Sequence, residues 1–163
     1  MMTSLTKAAA ALAISLVAVS CVCAQQETDN STSSTYDAEL AKKLGADEYG
    51  MKNYVLCILR TGPKDAKITG KRRDLAFAGH MANIGKLADE GKLTVAGPFG
   101  KNKIAYRGLF IFDVANVEDA KRLVETDPAV KAGIFVYDLI PWYGSAALML
   151  TADLHKKVQK RAF

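Results

Sequence analysis

Apolar and polar positions follow strand-like and helix-like spacings in turn from residue 51 onward. Between residues 68 and 90 apolar side chains recur every three to four positions, which predicts a helix. Residues 116–119 have the pattern of an N-terminal cap and predict a second helix that reaches about residue 126. Short β-prone apolar runs predict four strands, at residues 54–59, 93–96, 108–114 and 134–140. The resulting order β-α-β-β-α-β is that of a ferredoxin-like α+β protomer.

The third predicted strand carries bulky apolar side chains on both of its faces. Leu109, Phe110, Ile111 and Phe112 follow one another, and successive side chains of a strand point to opposite faces of the sheet. Two helices can cover only one face. A second copy related by a two-fold axis is the simplest cover for the other face. The pattern therefore predicts a homodimer whose sheets pack face to face.

Residues 1–24 have the pattern of a secretory signal peptide. Lys7 precedes an uncharged apolar run over residues 8–20, which is too short to span a bilayer comfortably. Small residues just before position 25 predict cleavage after Ala24. Lipid modification of Cys21 is the alternative, because the residues before it loosely resemble a bacterial lipobox. We expect the mature protein to be secreted or periplasmic.

Two further segments flank the predicted domain. Residues 25–50 begin as a polar tether rich in Ser and Thr and continue as a short accessory helix that is predicted to stop at Gly45. Residues 144–163 are predicted to form an amphipathic helix with a basic outer face. We expect this C-terminal extension to pack on the dimer or on the accessory helix.

Charge and composition argue against several classes of function. The 163 residues carry 22 Lys and Arg against 17 Asp and Glu, and the basic clusters lack interleaved aromatics, so no nucleic-acid partner is expected. With two histidines and no Cys-x-x-Cys pair, the chain shows no ligand set for a metal. No Gly-rich phosphate loop occurs, so no nucleotide cofactor is expected. Removal of residues 1–24 leaves Cys57 as the single cysteine, so no internal disulfide is expected. No integral membrane partner is expected either.

The motifs over residues 51–143 resemble those of the YCII-related domain family. They are Arg60-Thr61-Gly62-Pro63, His80, Glu90-Gly91-Lys92-Leu93, Ala96-Gly97-Pro98-Phe99, Arg107-Gly108, the run from Glu125 to Gly133, and Pro141-Trp142. The resemblance implies a dimeric α+β barrel of ferredoxin-like protomers and a His–Asp active site. On this chain the histidine of that site corresponds to His80 and the aspartate to Asp127.

His80 shares a helix face with Phe77, Ile84 and Leu87, so its ring is expected to point toward the sheet. An imidazole with an unperturbed pKa of about 6.5 suits general acid–base catalysis when a carboxylate orients it. The other interpretation is a buried core histidine that forms hydrogen bonds within the fold and has no catalytic role. Asp127 precedes Pro128 and is also expected to cap a helical turn, a role that is compatible with binding His80.

Gly97, Pro98 and Phe99 are predicted to form a turn between strands that is also a candidate pocket wall. Arg107 is a candidate anchor for an anionic substrate, and an ordinary edge-strand charge is the other interpretation. Together these residues are the predicted contacts of a small-molecule substrate.

Two function classes fit this set of residues. The first is an exported enzyme that uses His80 and Asp127 for lyase-type elimination or hydrolysis of a small molecule without a cofactor. The second is a non-catalytic dimeric module that binds a small molecule. A haem-binding barrel is a third alternative, which a visible absorption spectrum would reveal.

Overall fold

A computed structural model describes residues 35–161, and every element below belongs to the unit that begins at Asp37. The predicted signal peptide, residues 1–24, and most of the polar tether lie outside the described residues. The strands are β1 Met51–Thr61, β2 Leu93–Pro98, β3 Tyr106–Phe112 and β4 Phe135–Ser145. The helices are α1 Ala38–Leu44, α2 Gly70–Asp89, α3 Val117–Val124, α4 Pro128–Lys131 and α5 Thr151–Val158, with 3₁₀ turns at Asp65–Lys67 and Ala146–Leu150.

The four strands form one antiparallel sheet in the order β2-β3-β1-β4. This order, with α2 between β1 and β2 and α3 and α4 between β3 and β4, is the predicted ferredoxin-like arrangement, so the α+β prediction is confirmed. Strand β3 lies inside the sheet between β2 and β1. The alternative interpretation of Arg107 as an edge-strand charge is therefore wrong, because Arg107 belongs to this interior strand.

Strand β4 is longer than predicted. The sequence pattern stops it before Pro141, whereas in the structure it continues to Ser145 and pairs Pro141 with Val55. Proline cannot donate a ladder hydrogen bond, and this loss is tolerated on an edge strand, where one side of the backbone has no neighbour. Strand β4 occupies such an edge position, which explains why proline does not end it.

The hydrophobic core lies between the sheet and the helices α2, α3 and α4. Alternating residues of β1 point into it, namely Val55, Cys57 and Leu59. Strand β3 adds Phe110 and Phe112, and the helices add Ala76, Leu87, Ala120, Val124 and Ala129. These contacts position α2, which carries the histidine singled out above, across one face of the sheet.

The C-terminal extension is not the single helix that the sequence predicts. After β4 the chain forms the 3₁₀ turn Ala146–Leu150, which contacts β1, β2 and α1, and only then enters α5. Tyr54, Ile111 and Ala146 are buried outside the main core, which indicates that this turn covers one end of the second sheet face. The chain itself thus covers part of this face, so the predicted second copy is not needed there. Ile140, which is 46% exposed, belongs to the part that stays uncovered.

The short accessory helix α1 ends where the sequence predicts. Asp37 caps its first turn by accepting a hydrogen bond from the Leu40 backbone N–H. Gly45 follows its last residue in the left-handed region, at φ 69°, which favours glycine. Within residues 35–161, no helix has the length and apolar character needed to cross a membrane.

Candidate active site

Helix α2 places His80 against the sheet inside an aromatic box. The residue is 9% exposed. Its ring stacks on Phe110 with centroids 5.9 Å apart, and it meets Phe77 and Phe135 edge-on at 6.2 Å and 5.4 Å. The apolar face of α2, which includes His80, packs against the sheet. The three aromatic rings around His80 hold its ring in one orientation.

Asp127 lies between α3 and α4 and has no exposed surface. Its Oδ1 accepts a hydrogen bond of 2.8 Å from the Ala129 backbone N–H, which caps α4. Pro128 occupies the first position of that helix. A backbone N–H at this position has no partner within the helix, so proline loses no hydrogen bond there. The local sequence therefore holds the carboxylate rigidly, as the capping interpretation predicts.

The two side chains meet in the structure. The distance between His80 Nδ1 and Asp127 Oδ2 is 2.5 Å, and both groups are buried. A carboxylate accepts hydrogen bonds, so Nδ1 carries the proton of this bond, and in the neutral ring Nε2 then keeps its lone pair. Asp127 thus uses one oxygen to cap α4 and the other to orient His80, so the two roles that the sequence suggests for it are compatible.

Gly79 brings the two helices close enough for this contact. A Cβ at Gly79 would lie 2.7 Å from Pro128 Cγ, closer than real Cβ atoms approach a neighbour. The absence of a side chain lets α2 approach α4 beside His80. Sequence reasoning did not select Gly79, although a glycine inside a helical pattern is the signal that could have found it.

A cavity of about 800 Å³ opens beside His80, between α2 and β2. The four residues predicted to contact substrate all line it, namely Gly97, Pro98, Phe99 and Arg107. Asp127 does not line the cavity and lies behind the histidine. Since Nδ1 is bonded to Asp127, Nε2 is the ring nitrogen that is left to the cavity. The structure therefore brings the predicted site residues together around one space.

Arg107 stands at the end of the cavity formed by the turn after β2. Its guanidinium lies 5.5 Å from the centroid of the Phe135 ring and 3.4 Å from Asp65 Oδ2. Asp65 also forms a closer ion pair, at 2.8 Å, with Arg73. Two guanidinium groups thus share one carboxylate, which leaves an excess positive charge at this end. Phe99 packs on Tyr106 with ring centroids 5.7 Å apart and completes the wall.

The opposite end of the cavity is lined by α5, which sequence reasoning did not assign to the site. The lining residues of the extension are Thr151, Ala152, His155, Lys156 and Gln159. Lys156 also forms an ion pair of 2.9 Å with Asp89 at the end of α2. This bond raises the pKa of the lysine, so the pair stays charged. The three- and four-residue spacing within the extension was the available signal, but it did not indicate which surface the helix covers.

Cys57 is buried in the core and is not a candidate nucleophile. Burial, with a smaller contribution from the Asp127 and Asp138 charges, raises the pKa of its thiol to about 12. The reactive form of cysteine is the thiolate, which such a pKa disfavours at neutral pH. Among residues 35–161 no cluster of three or more His, Cys, Asp or Glu side chains is arranged to hold a metal ion.

The fold and the site define an α+β domain of ferredoxin-like topology with a buried His–Asp pair beside a cavity. The model of the YCII-related domain family matches residues 54–143, which is more than half of the chain. The chain belongs to the YCII-related domain family. This confirms the resemblance noted in its motifs. Helix α5 and the 3₁₀ turn before it lie outside the matched residues.

One similar solved structure is 5-chloro-2-hydroxyhydroquinone dehydrochlorinase (TftG) from Burkholderia phenoliruptrix AC1100, in complex with 2,5-dihydroxybenzoquinone. It is 24% identical, the match covers 54% of this chain and 92% of that chain, and the TM-score is 0.40. No curated protein matches the sequence.

Proposed function

We propose that this protein is an exported small-molecule enzyme in which His80 is the acid–base catalyst and Asp127 orients it. The observation that carries the proposal is the 2.5 Å contact between His80 Nδ1 and Asp127 Oδ2, made at the wall of a cavity. Asp127 is itself held by the cap of α4. A rigid carboxylate behind an imidazole fixes its tautomer, as general acid–base catalysis requires.

The expected chemistry is a proton transfer at Nε2 of His80. A substrate proton placed against Nε2 moves to that nitrogen, and the Asp127 carboxylate stabilises the imidazolium that forms. In an elimination, the electron pair left on the substrate forms a new double bond and expels a leaving group. The imidazolium then returns its proton to the leaving group or to water, which restores the neutral ring.

Elimination suits the surroundings of His80 better than hydrolysis does. The groups packed around its ring are Phe77, Phe110 and Phe135, which offer no strong hydrogen bond to an attacking water. Elimination needs only the base and the substrate at this place. Arg107, with its excess positive charge, is expected to bind an anionic group of the substrate.

A non-catalytic binding module is the second candidate function. The observation that favours it is the structural role of Asp127, whose carboxylate caps α4 and is fully buried. In that case the His80–Asp127 bond serves only to satisfy two buried polar groups. The cavity and Arg107 would then bind a ligand without changing it.

Turnover separates the two functions. The substrate is sought by screening small anionic aromatic and cyclic compounds with the wild-type protein. We expect His80→Gln and Asp127→Asn each to abolish turnover with little change in melting temperature. Asp74→Asn, the same chemical change at an exposed position of α2 outside the cavity lining, is the control and should keep full activity. Turnover that survives both site substitutions would contradict the acid–base role.

The tautomer of His80 provides a test that needs no substrate. The chain has two histidines, so the nitrogen spectrum of ¹⁵N-labelled imidazoles can resolve both. In the neutral ring of the wild type we expect the proton on Nδ1 of His80 and none on Nε2. In Asp127→Asn the amide oxygen can keep the cap while its NH₂ group faces the ring, which moves the proton to Nε2. An unchanged tautomer in this variant would contradict the orienting role of Asp127.

The homodimer and the export of the protein are part of the same proposal. The part of the second sheet face that the extension leaves uncovered includes Ile140 and Trp142, which supports a partner copy there. Sedimentation equilibrium at micromolar concentration should give twice the protomer mass, and Ile140→Glu should reduce the measured mass to that of one protomer.

The intact mass of protein from its native host should correspond to a chain that begins at Gln25 or at a lipidated Cys21.

A further inference from the structure

The cavity continues along α2 well beyond His80. Its α2 lining runs from Phe77 to Asp89, a stretch of about 18 Å at the helical rise per residue. Its volume of about 800 Å³ is also far larger than the roughly 150 Å³ that can hold one benzene ring. A single ring placed beside His80 would therefore leave the half of the cavity nearest α5 unfilled.

Gly85 lies in this far half, one and a half turns beyond His80, and nothing in the fold requires glycine there. A Cβ at Gly85 would meet no atom within 4 Å, and its backbone is helical. Glycine inside a helix lowers the stability of the helix relative to alanine. The missing side chain thus weakens α2 without any gain in packing, and its effect is to leave space in the cavity.

Helix α5 supplies the facing wall of this space. Ala152, His155 and Gln159 follow helical spacing and all line the cavity. The charges at this end belong to Lys156 and Asp89, which neutralise each other in their ion pair. The far half therefore has the small residues Gly85, Ala88 and Ala152 on its two facing walls, beside the polar His155 and Gln159. Its paired charges cancel, in contrast to the end at Arg107.

We propose that Gly85 and α5 form a second subsite of the cavity, which takes the apolar part of an elongated ligand whose anionic group lies at Arg107. The proposal rests on the proposed function for the reacting end of the ligand beside His80, and it adds the class of molecule: a small anion with an extended aryl or alkyl group. Helix α5 then determines specificity, since it closes the cavity from outside the residues that the family domain matches.

The test compares two probes of different length, benzoate and biphenyl-4-carboxylate, by isothermal titration calorimetry with the full chain. The wild type should bind the biphenyl compound about tenfold more tightly or better, because its second ring is buried in the subsite. Gly85→Leu fills that space and should bring the two affinities close together. Ala82→Leu is the matched control, an exposed position of α2 that does not line the cavity, and it should keep the wild-type preference.

A second variant guards against an effect of misfolding. Ala152→Trp fills the subsite from the α5 side and should remove the preference as well, while the melting temperature of both variants shows that they remain folded. A wild type without the preference, or a preference that survives both filling substitutions, would overturn the proposal. His80→Gln should keep the preference, so a failure of the proposed catalysis and a failure of the subsite give different results.

Discussion

Gly79 and Gly85, both inside helix α2, have opposite surroundings. At Gly79 a side chain would collide with Pro128, because α2 presses against α4 at that point. At Gly85 a side chain would meet nothing, because the cavity separates α2 from α5. The same residue type thus serves close packing on one side of the helix and open space on the other.

The difference shows how one helix can serve both the proposed chemistry and the binding of a ligand. The close contact with α4 brings His80 to Asp127 and holds it there. The open side leaves room for a molecule to reach the other nitrogen of the same ring. A catalytic group needs rigid support behind it, and a ligand needs a cavity in front of it. The substitutions below test each side separately.

Asp127→Ala should have the largest effect on stability. It removes the cap of α4 and leaves Nδ1 of His80 without its buried partner, which together should lower the free energy of unfolding by about 2–3 kcal/mol. Asp127→Asn should lower the free energy of unfolding clearly less, because asparagine is also a good helix cap. Urea denaturation of the two variants measures this, and equal losses would contradict the capping role.

Gly79→Ala should disturb the close contact directly. The added Cβ would have to displace the Pro128 ring, so we expect a loss of about 1–3 kcal/mol in the free energy of unfolding, although alanine is the better helix former. The displacement should also weaken the bond between His80 and Asp127. A fall in turnover that accompanies the lower stability would support this link, and an unchanged stability would refute the close approach.

Gly85→Ala, the same change on the open side, should act in the opposite direction. Nothing obstructs the new methyl group, so the better helix propensity of alanine should raise the free energy of unfolding by about 0.5–1 kcal/mol. Thermal and urea denaturation of Gly85→Ala and Gly79→Ala, measured side by side, compare the stabilities of the two variants. If both alanine variants were destabilised, the two sides of α2 would not differ as the structure shows.

The smallest expected effect concerns Cys57, in the close-packed core. Its pKa is raised from 9.0 to about 12 by burial, so the folded protein keeps the thiol proton while the unfolded chain loses it above about pH 9. The stability that this difference contributes is complete below pH 9.0 and disappears as the pH rises toward 12. Between about pH 8 and about pH 10.5, the urea midpoint of unfolding should fall less in Cys57→Ala than in the wild type.

Much of the fold could be predicted because its signals are local. Apolar spacing located α2, and the Asp127-Pro128 pair predicted the cap of α4 from neighbouring residues alone. The end of β4 was predicted wrongly, because whether a proline interrupts a strand depends on its place in the sheet. The sequence pattern around Pro141 carries no sign that β4 lies at an edge.

The candidate site divides in the same way. The family motifs alone select His80, Asp127 and the run from Gly97 to Phe99. The prediction that Gly97 and Pro98 form a turn is wrong, because both residues belong to β2 and pair with β3. The contribution of α5 was missed, because an amphipathic pattern predicts a helix with a buried face but does not say which surface it covers. The packing of the extension over the cavity follows from how the chain crosses the sheet after β4.

The sequence by itself determined the order of strands and helices, the helix face that carries His80, and the cap at Asp127, since each depends on residues within a few positions of one another. Only the tertiary structure decided that His80 and Asp127 touch, that Gly79 allows this contact, and that Gly85 and α5 enclose the far half of the cavity. These features join residues far apart in the chain. Their distances are set by how the helices pack on the sheet, which no local pattern of residues specifies.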